Sequence, residues 1–234
     1  MPKTYIARNL ARIREELAAA AGRAKRTPPA IVAVTKSASD EEVLSLSALH
    51  DGPIAENRVP LFRARRELLS AAGFDTPIHL IGSLQTNKVK YIAADAAIIE
   101  SLDSLKLAAE IERQGKRIGR IIPVLIEVNS GREAAKGGLL PEQVLPFLEE
   151  LRGGAYPHVA VAGLMTMGPN CDCEEDYRPY FRETKALFDR IREEYGFAGD
   201  GILSMGMSDS YRVAAEEGAT QVRIGRALFR QDEN

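Results

Sequence analysis

Short apolar runs alternate with amphipathic stretches along most of the chain. The first stretch, residues 5–22, places Ile6, Leu10, Ile13 and Leu17 on one face and predicts an N-terminal helix. Eight short runs follow that are mostly apolar on both faces, which is typical of buried parallel strands. These predicted strands lie at 30–35, 54–55, 78–81, 96–100, 121–128, 159–165, 202–203 and 221–224.

Helical patterns fill the segments between these strands. Ser39 precedes Glu42 by three residues, which indicates a capping box at the start of a helix. Pro141 suits a first helical turn, and Gly115 and Gly218 are predicted to end two helices. The helices that follow the one at Ser39 are predicted at 58–72, 87–93, 104–114, 141–151, 176–195 and 209–217.

Eight strands that alternate with helices predict an α/β protein, with residues 1–234 forming a single (β/α)8 barrel of the TIM type and an extra N-terminal helix. A doubly wound open sheet is the alternative. The count of eight favours the barrel. So does the placement of polar residues directly after almost every strand, because such barrels bind their ligands at that face.

Composition narrows the classes of partner. The chain is 45% apolar, which is ample for one large core, and its net charge of −2 gives no electrostatic reason to expect nucleic acid or an anionic membrane. The N-terminus has no apolar signal segment, and no apolar run approaches the length of a membrane span. We therefore expect a cytoplasmic protein that binds neither nucleic acid nor membrane.

The cysteines and histidines predict no metal site. Cys171 and Cys173 lie close together in an acidic stretch that is predicted to be an exposed loop, and two sulfurs fall short of a structural zinc site. His50, His79 and His158 are scattered without metal-ligand spacing.

Lys36 is the most informative single residue, because it directly follows the first apolar strand. A lysine there can hold its amine at the mouth of the barrel, partly shielded from water, where it becomes a nucleophile toward an aldehyde. The alternative is a solvated lysine on a loop. The segments 203–208 and 222–226 follow strands seven and eight, where such barrels hold phosphate. Together the two features indicate pyridoxal 5′-phosphate (PLP) as a cofactor.

The chain resembles the pyridoxal phosphate homeostasis protein family, PLP-binding barrels related to the N-terminal domain of alanine racemase. The resemblance extends through nearly the whole chain. It rests on the residues at 33–36, 56–57, 79–82, 84–88, 103–104, 163–167, 178–181, 204–209 and 222–225.

The resemblance implies roles for nine residues. Lys36 would hold PLP as a Schiff base, Ser204 and Ser208 would offer hydroxyls to its phosphate, and the backbone N–H groups of Gly206, Gly225 and Arg226 would complete the cradle. Arg223 would face the pyridine nitrogen, Asn57 would lie near the ring or its phenolic oxygen, and Met165 would pack beside the cofactor. From the residues alone, the two serines could equally be helix caps and Met165 a core methionine.

Two arginines have implied roles that affect the cofactor: Arg223 would influence the electron-withdrawing power of the pyridine ring, and Arg226 would lie near the phosphate. Because a guanidinium only donates hydrogen bonds, Arg223 would leave the pyridine nitrogen unprotonated and the ring a weak electron sink. The family usually has a small hydroxyl residue where this chain has Arg226, whose guanidinium could reach the phosphate or close the site. The family also usually has histidine at Ser83 and glycine at Ala55.

Two basic segments have simpler interpretations. Lys88 and Lys90 could form a second anion site at the mouth, but a solvated basic face is favoured. Arg63, Arg65 and Arg66 are predicted to form an exposed helix face.

The function implied by the resemblance is non-enzymatic: storing, buffering or delivering PLP, with PLP-dependent apo-enzymes as recipients and a monomeric chain. The first alternative is a PLP-dependent amino-acid racemase. In alanine racemase the opposing base is a tyrosine from a separate domain of the partner subunit, and this chain ends soon after its last predicted strand. The second alternative is a barrel enzyme acting on a small phosphorylated metabolite.

Overall fold

The computed structural model describes residues 3–154 and 156–231, and their strands form one closed barrel. All neighbouring strands are parallel, in the order of the sequence, and the last strand pairs with the first through Ala30–Gln221 to Ala33–Ile224. The predicted (β/α)8 barrel is therefore confirmed. The strands are β1 (Ala30–Val34), β2 (Ile54–Glu56), β3 (Ile78–Leu80), β4 (Ala96–Leu102), β5 (Ile122–Val128), β6 (Val159–Thr166), β7 (Ile202–Ser204) and β8 (Gln221–Ile224).

The α-helices surround the barrel, and the first one lies outside the strand–helix repeat. They are α1 (Thr4–Arg23), α2 (Asp40–Ser47), α3 (Val59–Ala71), α4 (Leu105–Ile118), α5 (Pro141–Gly153), α6 (Arg178–Glu194), α7 (Tyr211–Glu216) and α8 (Arg226–Phe229). The buried face of α1 carries Ile6, Leu10, Ile13 and Leu17, as predicted, and the helix packs against α7, α8 and α2. No helix in the described part of the chain combines the length and apolar character needed to cross a membrane.

Alternation along the strands produces two kinds of core. Successive strand side chains point to opposite faces, and one face contributes to the large apolar core shared with the helices. Residues of the other face form smaller clusters, one of Val32, Val34 and Ala55 and one of Leu125, Ala162 and Met165. Strands buried on both faces explain why the apolar runs in the sequence show so little polar alternation.

Two predicted helices differ from the observed ones. The helix expected at 87–93 is a 3₁₀ helix at Thr86–Tyr91. Gly115 does not end α4, which continues to Ile118 and has Gly119 at its C-cap with φ 66°. A Cβ at Gly115 would lie 2.7 Å from the Arg120 carbonyl oxygen, so the glycine serves close packing inside the helix. Gly119 supplies the left-handed conformation that ends it.

Candidate ligand site at the barrel mouth

One cavity of about 380 Å³ opens at the carboxyl ends of the strands, and it brings together six of the nine predicted site residues. It connects the end of β1 to the loops that follow β7 and β8, the two regions singled out in the sequence. The predicted residues in its lining are Lys36, Asn57, Ser208, Arg223, Gly225 and Arg226, and the others are Val34, Ile81, Gly82, Met167, Met207 and Asp209.

Lys36 lies in the turn after β1, between two residues that are firmly held. Its side chain is exposed, contrary to the partial shielding predicted from its position at a strand end. Thr35 is fully buried and donates its hydroxyl to the Glu56 carboxylate at 2.5 Å. Ala38 is buried on the other side, and its N–H donates to the Thr35 carbonyl at 2.9 Å. The backbone beneath the lysine is therefore fixed, while its exposed side chain lines the cavity.

A buried ion pair anchors this turn from the helix side. The Arg65 guanidinium, on α3, donates to Glu56, to the Asp40 carboxylate and to the Ala38 carbonyl. Arg65 is only 4% exposed and Glu56 is fully buried, so the prediction of an exposed arginine face is wrong for Arg65. Burial raises the pKa of Glu56, although the Thr35 hydroxyl and the Arg65 charge oppose the shift. One carboxylate oxygen of Glu56 is buried without a hydrogen-bond partner.

Asn57 reaches the cavity where β2 and β3 end in close contact. A Cβ at Gly82 would lie 2.1 Å from the Asn57 carbonyl oxygen, so only glycine permits this approach of the two chains. The Gly82 carbonyl in turn accepts a hydrogen bond from the Ser101 hydroxyl at 2.8 Å. Gly82 therefore helps to fix the wall of the cavity that carries Asn57.

Arg223 brings a buried positive charge to the cavity wall. It is 2% exposed, and its guanidinium donates to the Ser204 hydroxyl oxygen at 2.6 Å and to the Thr166 carbonyl at 2.8 Å. The Glu100 carboxylate lies 4.0 Å away. Because these contacts hold the guanidinium from β4, β6 and β7, Arg223 is oriented by three strands.

Ser204 belongs to this buried network and not to the cavity lining. Its hydroxyl donates to Glu100 at 2.7 Å and accepts from Gln221 at 3.0 Å. His79 lies 2.7 Å from the other oxygen of the same carboxylate. Burial alone would raise the pKa of Glu100, but the hydrogen bond and charge of His79 and the charge of Arg223 hold it below its ordinary value. The network thus keeps a carboxylate charged below the cavity, where it neutralises Arg223.

The loops after β7 and β8 meet through Ser208. Its hydroxyl oxygen accepts from the Ala227 N–H at 3.2 Å, which leaves its own O–H as a donor toward the cavity. Gly206 is buried outside the lining, with φ 92°, and its carbonyl accepts from the Arg223 N–H at 3.0 Å. A Cβ there would lie 2.4 Å from that of Ala214, so this glycine is required by the packing of α7.

Met165 is fully buried with Leu125 and Ala162 and does not line the cavity. Met167, two residues further along, lines it instead, together with Met207. Side chains two residues apart in an extended segment point to the same side. The residue nearer the carboxyl end of the strand is therefore the one that reaches the mouth, a rule available from the sequence.

Glu127 is a further buried acid that the sequence did not reveal. It lies on β5 and is 6% exposed. A Cβ at Gly137 would lie 3.8 Å from both of its carboxylate oxygens and 3.9 Å from an Asp103 oxygen, so the two acids face each other across this glycine. Burial and the charge of Asp103 raise the pKa of Glu127 to about 7, although Arg223 opposes the shift.

The donor set suits an anionic aldehyde. A primary amine, an anchored guanidinium, a serine hydroxyl and the backbone of two adjoining loops all line one cavity. Amines react with aldehydes, and hydroxyl, N–H and guanidinium donors bind phosphate oxygens. The residues present therefore fit PLP.

Comparisons with known proteins agree with this donor set. The model of the alanine racemase N-terminal domain matches residues 8–232. The chain is 46% identical over 174 residues to the pyridoxal phosphate homeostasis protein of Aquifex aeolicus, covering 74% of each. It is 35% identical over 202 residues to the protein of the same name from Helicobacter pylori, covering 86% of this chain and 87% of that one.

A solved structure extends the likeness to three dimensions. PipY of Synechococcus elongatus PCC7942 with PLP bound has a TM-score of 0.82 and 26% identity, covering 96% of this chain and 100% of PipY. The fold and the cavity define a closed parallel barrel with Lys36 and the loops after β7 and β8 at its mouth. The chain belongs to the alanine racemase N-terminal domain family, and its similarity to proteins named pyridoxal phosphate homeostasis protein confirms the resemblance predicted from the sequence.

Proposed function

We propose that the protein binds PLP without catalysing a reaction on it, and that it stores, buffers or delivers the cofactor. The observation that carries the proposal is the cavity whose lining combines Lys36, Arg223 and the loops after β7 and β8. Two relatives named pyridoxal phosphate homeostasis protein and the PLP-bound structure of PipY support it.

Different residues of the cavity would bind different parts of PLP. Bound PLP supplies an aldehyde that condenses with a lysine amine and a ring that can withdraw electrons. Lys36 would take the aldehyde end, and Arg223 would face the ring nitrogen. Ser208 and the backbone at Gly225 and Arg226 would donate to the phosphate.

The remaining predicted residues would act around the ligand. Asn57 would contact the ring side from the wall that Gly82 fixes. Ser204 would orient Arg223 from below, since its hydroxyl is already bonded to Glu100 and Arg223. Met167 and Met207 would provide the apolar contacts first assigned to Met165.

The arrangement of the tyrosines supports a carrier over a racemase. Racemisation needs one group to remove the α-proton and a second to return it on the opposite face, and each positioned acid or base contributes about 10²–10⁴-fold. The described residues that line the cavity include no tyrosine. Tyr211, the nearest candidate in sequence, is buried and donates its hydroxyl to Glu16 on α1. Burial and that contact raise the pKa of Tyr211 to about 12, which makes it a poor base at neutral pH.

An absorbance spectrum tests the binding proposal. The purified protein is titrated with PLP, and we expect a yellow species that survives gel filtration. A protein that remains colourless with PLP would contradict the proposal and favour an enzyme for another phosphorylated metabolite.

Isotope exchange separates a carrier from an enzyme. The PLP-loaded protein is incubated with individual L-amino acids in deuterium oxide, and we expect neither α-deuteration nor D-isomers. Turnover of a few per second on any common amino acid would make the racemase the better interpretation.

PLP-dependent apo-enzymes are the proposed recipients of the cofactor. Activation of such an apo-enzyme by the PLP-loaded protein is the test of delivery.

A further inference from the structure

Arg226 and Asp209 form an ion pair that joins the two loops where the phosphate is expected. Asp209 follows Ser208 in the loop after β7, and Arg226 follows Gly225 after β8. Both side chains are exposed, at 61% for Asp209 and 79% for Arg226. Both also line the cavity that contains Lys36.

The pair stands at a boundary between two cavities. A neighbouring cavity of about 680 Å³, bordered by α1 and α7, shares Ser208, Asp209 and Arg226 with the Lys36 cavity. The ion pair therefore lies at the outer end of the site, between the ligand cavity and this second opening.

Asp209 places a negative charge at the end of the cavity where the phosphate is expected. It is the only carboxylate among the described residues that line the Lys36 cavity, which otherwise carries the cations Lys36, Arg223 and Arg226. A phosphate bound beside Ser208 would be repelled by Asp209 unless a cation lay between them. Arg226 is the cation already in contact with Asp209.

An exposed ion pair exchanges partners at little cost, because water screens the attraction that holds it together. A guanidinium binds phosphate with two parallel N–H donors and so competes well for it. We propose that the Arg226 side chain adds to the specificity of the site for phosphorylated ligands: it pairs with Asp209 in the ligand-free protein and turns to the phosphate when one binds. This inference rests on the proposed function.

The test uses two ligands without an aldehyde, pyridoxine 5′-phosphate and pyridoxine, so that Lys36 chemistry does not contribute. Their affinities for the full-length protein are measured by calorimetry. Arg226→Ala is expected to weaken pyridoxine 5′-phosphate binding about tenfold to hundredfold, the range for a hydrogen bond to a charged group. Pyridoxine binding is expected to change less than about twofold. Asp209→Asn is expected to tighten the phosphorylated ligand, because it removes both the competing partner and the repulsion.

A matched control is the exposed Arg190–Glu194 pair on α6, with N–O distance 2.9 Å. Arg190→Ala should leave both affinities unchanged. Equal losses for both ligands in Arg226→Ala, or weaker phosphate binding in Asp209→Asn, would overturn the proposal and make the pair a structural clamp. If Arg226→Ala does not fold, Arg226→Gln keeps the aliphatic stem, and the sign of the Asp209→Asn effect decides independently. If the unaltered protein binds PLP but Arg226→Ala and Asp209→Asn leave the ratio of the two affinities unchanged, only this inference is rejected. If the unaltered protein does not bind PLP, the proposed function is rejected as well.

Discussion

The Arg223 guanidinium donates to the Ser204 hydroxyl oxygen at 2.6 Å, and this contact gives Ser204 a different role from Ser208, four residues further along. Ser204 is fully buried and also bonded to Glu100, whereas Ser208 lines the cavity. One serine therefore supports the Arg223 guanidinium, and the other faces the cavity.

Substitution of these serines should have different effects. Ser208→Ala is expected to weaken PLP binding about tenfold while it changes the binding of unphosphorylated pyridoxal little, because only the phosphate loses a donor. Ser204→Ala is expected to weaken both ligands similarly and to cost about 1–3 kcal/mol of unfolding free energy, because buried polar groups lose a partner. Paired titrations and urea unfolding measure both effects. A phosphate-specific loss in Ser204→Ala would contradict the division.

Removal of Arg65 should be strongly destabilising. Arg65→Met leaves the buried Glu56 without its cation, and breaking such a pair typically costs about 3–5 kcal/mol. Arg63→Met is the matched control, since Arg63 is 55% exposed and on the same helix, and it should change stability by less than about 0.5 kcal/mol. Chemical denaturation compares the two variants.

The charge on Glu56 is the proposed cause of that loss. A double variant, Glu56→Gln with Arg65→Met, leaves no buried carboxylate and should recover part of the stability. The single variant should also be less destabilised at low pH, where Glu56 takes up a proton. Equal destabilisation by Arg63→Met and Arg65→Met would mean that the buried pair contributes nothing.

Glu127 should make stability depend on pH in a definite direction. Its folded-state pKa is raised from 4.5 to about 7, so folding favours the protonated form. The resulting stability is fully present below pH 4.5 and is lost as the pH rises through about 7, by at most ~3 kcal/mol. Glu127→Gln cannot ionise, so its melting temperature relative to the unaltered protein should be higher at pH 8 than at pH 5. An advantage that is equal at both values, or larger at pH 5, would contradict this.

The barrel and the position of its mouth were predictable from the sequence because they depend on local pattern. Eight strands buried on both faces are visible in the sequence as short apolar runs between amphipathic helical segments, and a ligand site at their carboxyl ends follows from the topology. Lys36 and the β7 and β8 loops were found in this way, and the cavity contains all three.

Side-chain direction and burial were less accessible, because they depend on contacts between distant segments. Arg65 stands among other arginines on a helix, and only the packing of Glu56 and the β1 turn against α3 buries it. Ser204 and Ser208 belong to one motif, yet the first is the last residue of β7 and the second lies in the loop. Met165 was assigned beside the cofactor through the family resemblance, whereas its burial against Leu125 and Ala162 depends on packing between neighbouring strands.

A covalent link between Lys36 and PLP is the central element of the proposed function. The PLP-loaded protein is reduced with borohydride, digested and mapped by mass spectrometry, with Lys36→Ala as the test variant and Lys136→Ala as the control. We predict the pyridoxyl group on the peptide containing Lys36, loss of the yellow species in Lys36→Ala and its retention in Lys136→Ala. Reproducible labelling of Lys88 or Lys136 in place of Lys36 would contradict the assignment of Lys36 as the PLP-binding lysine.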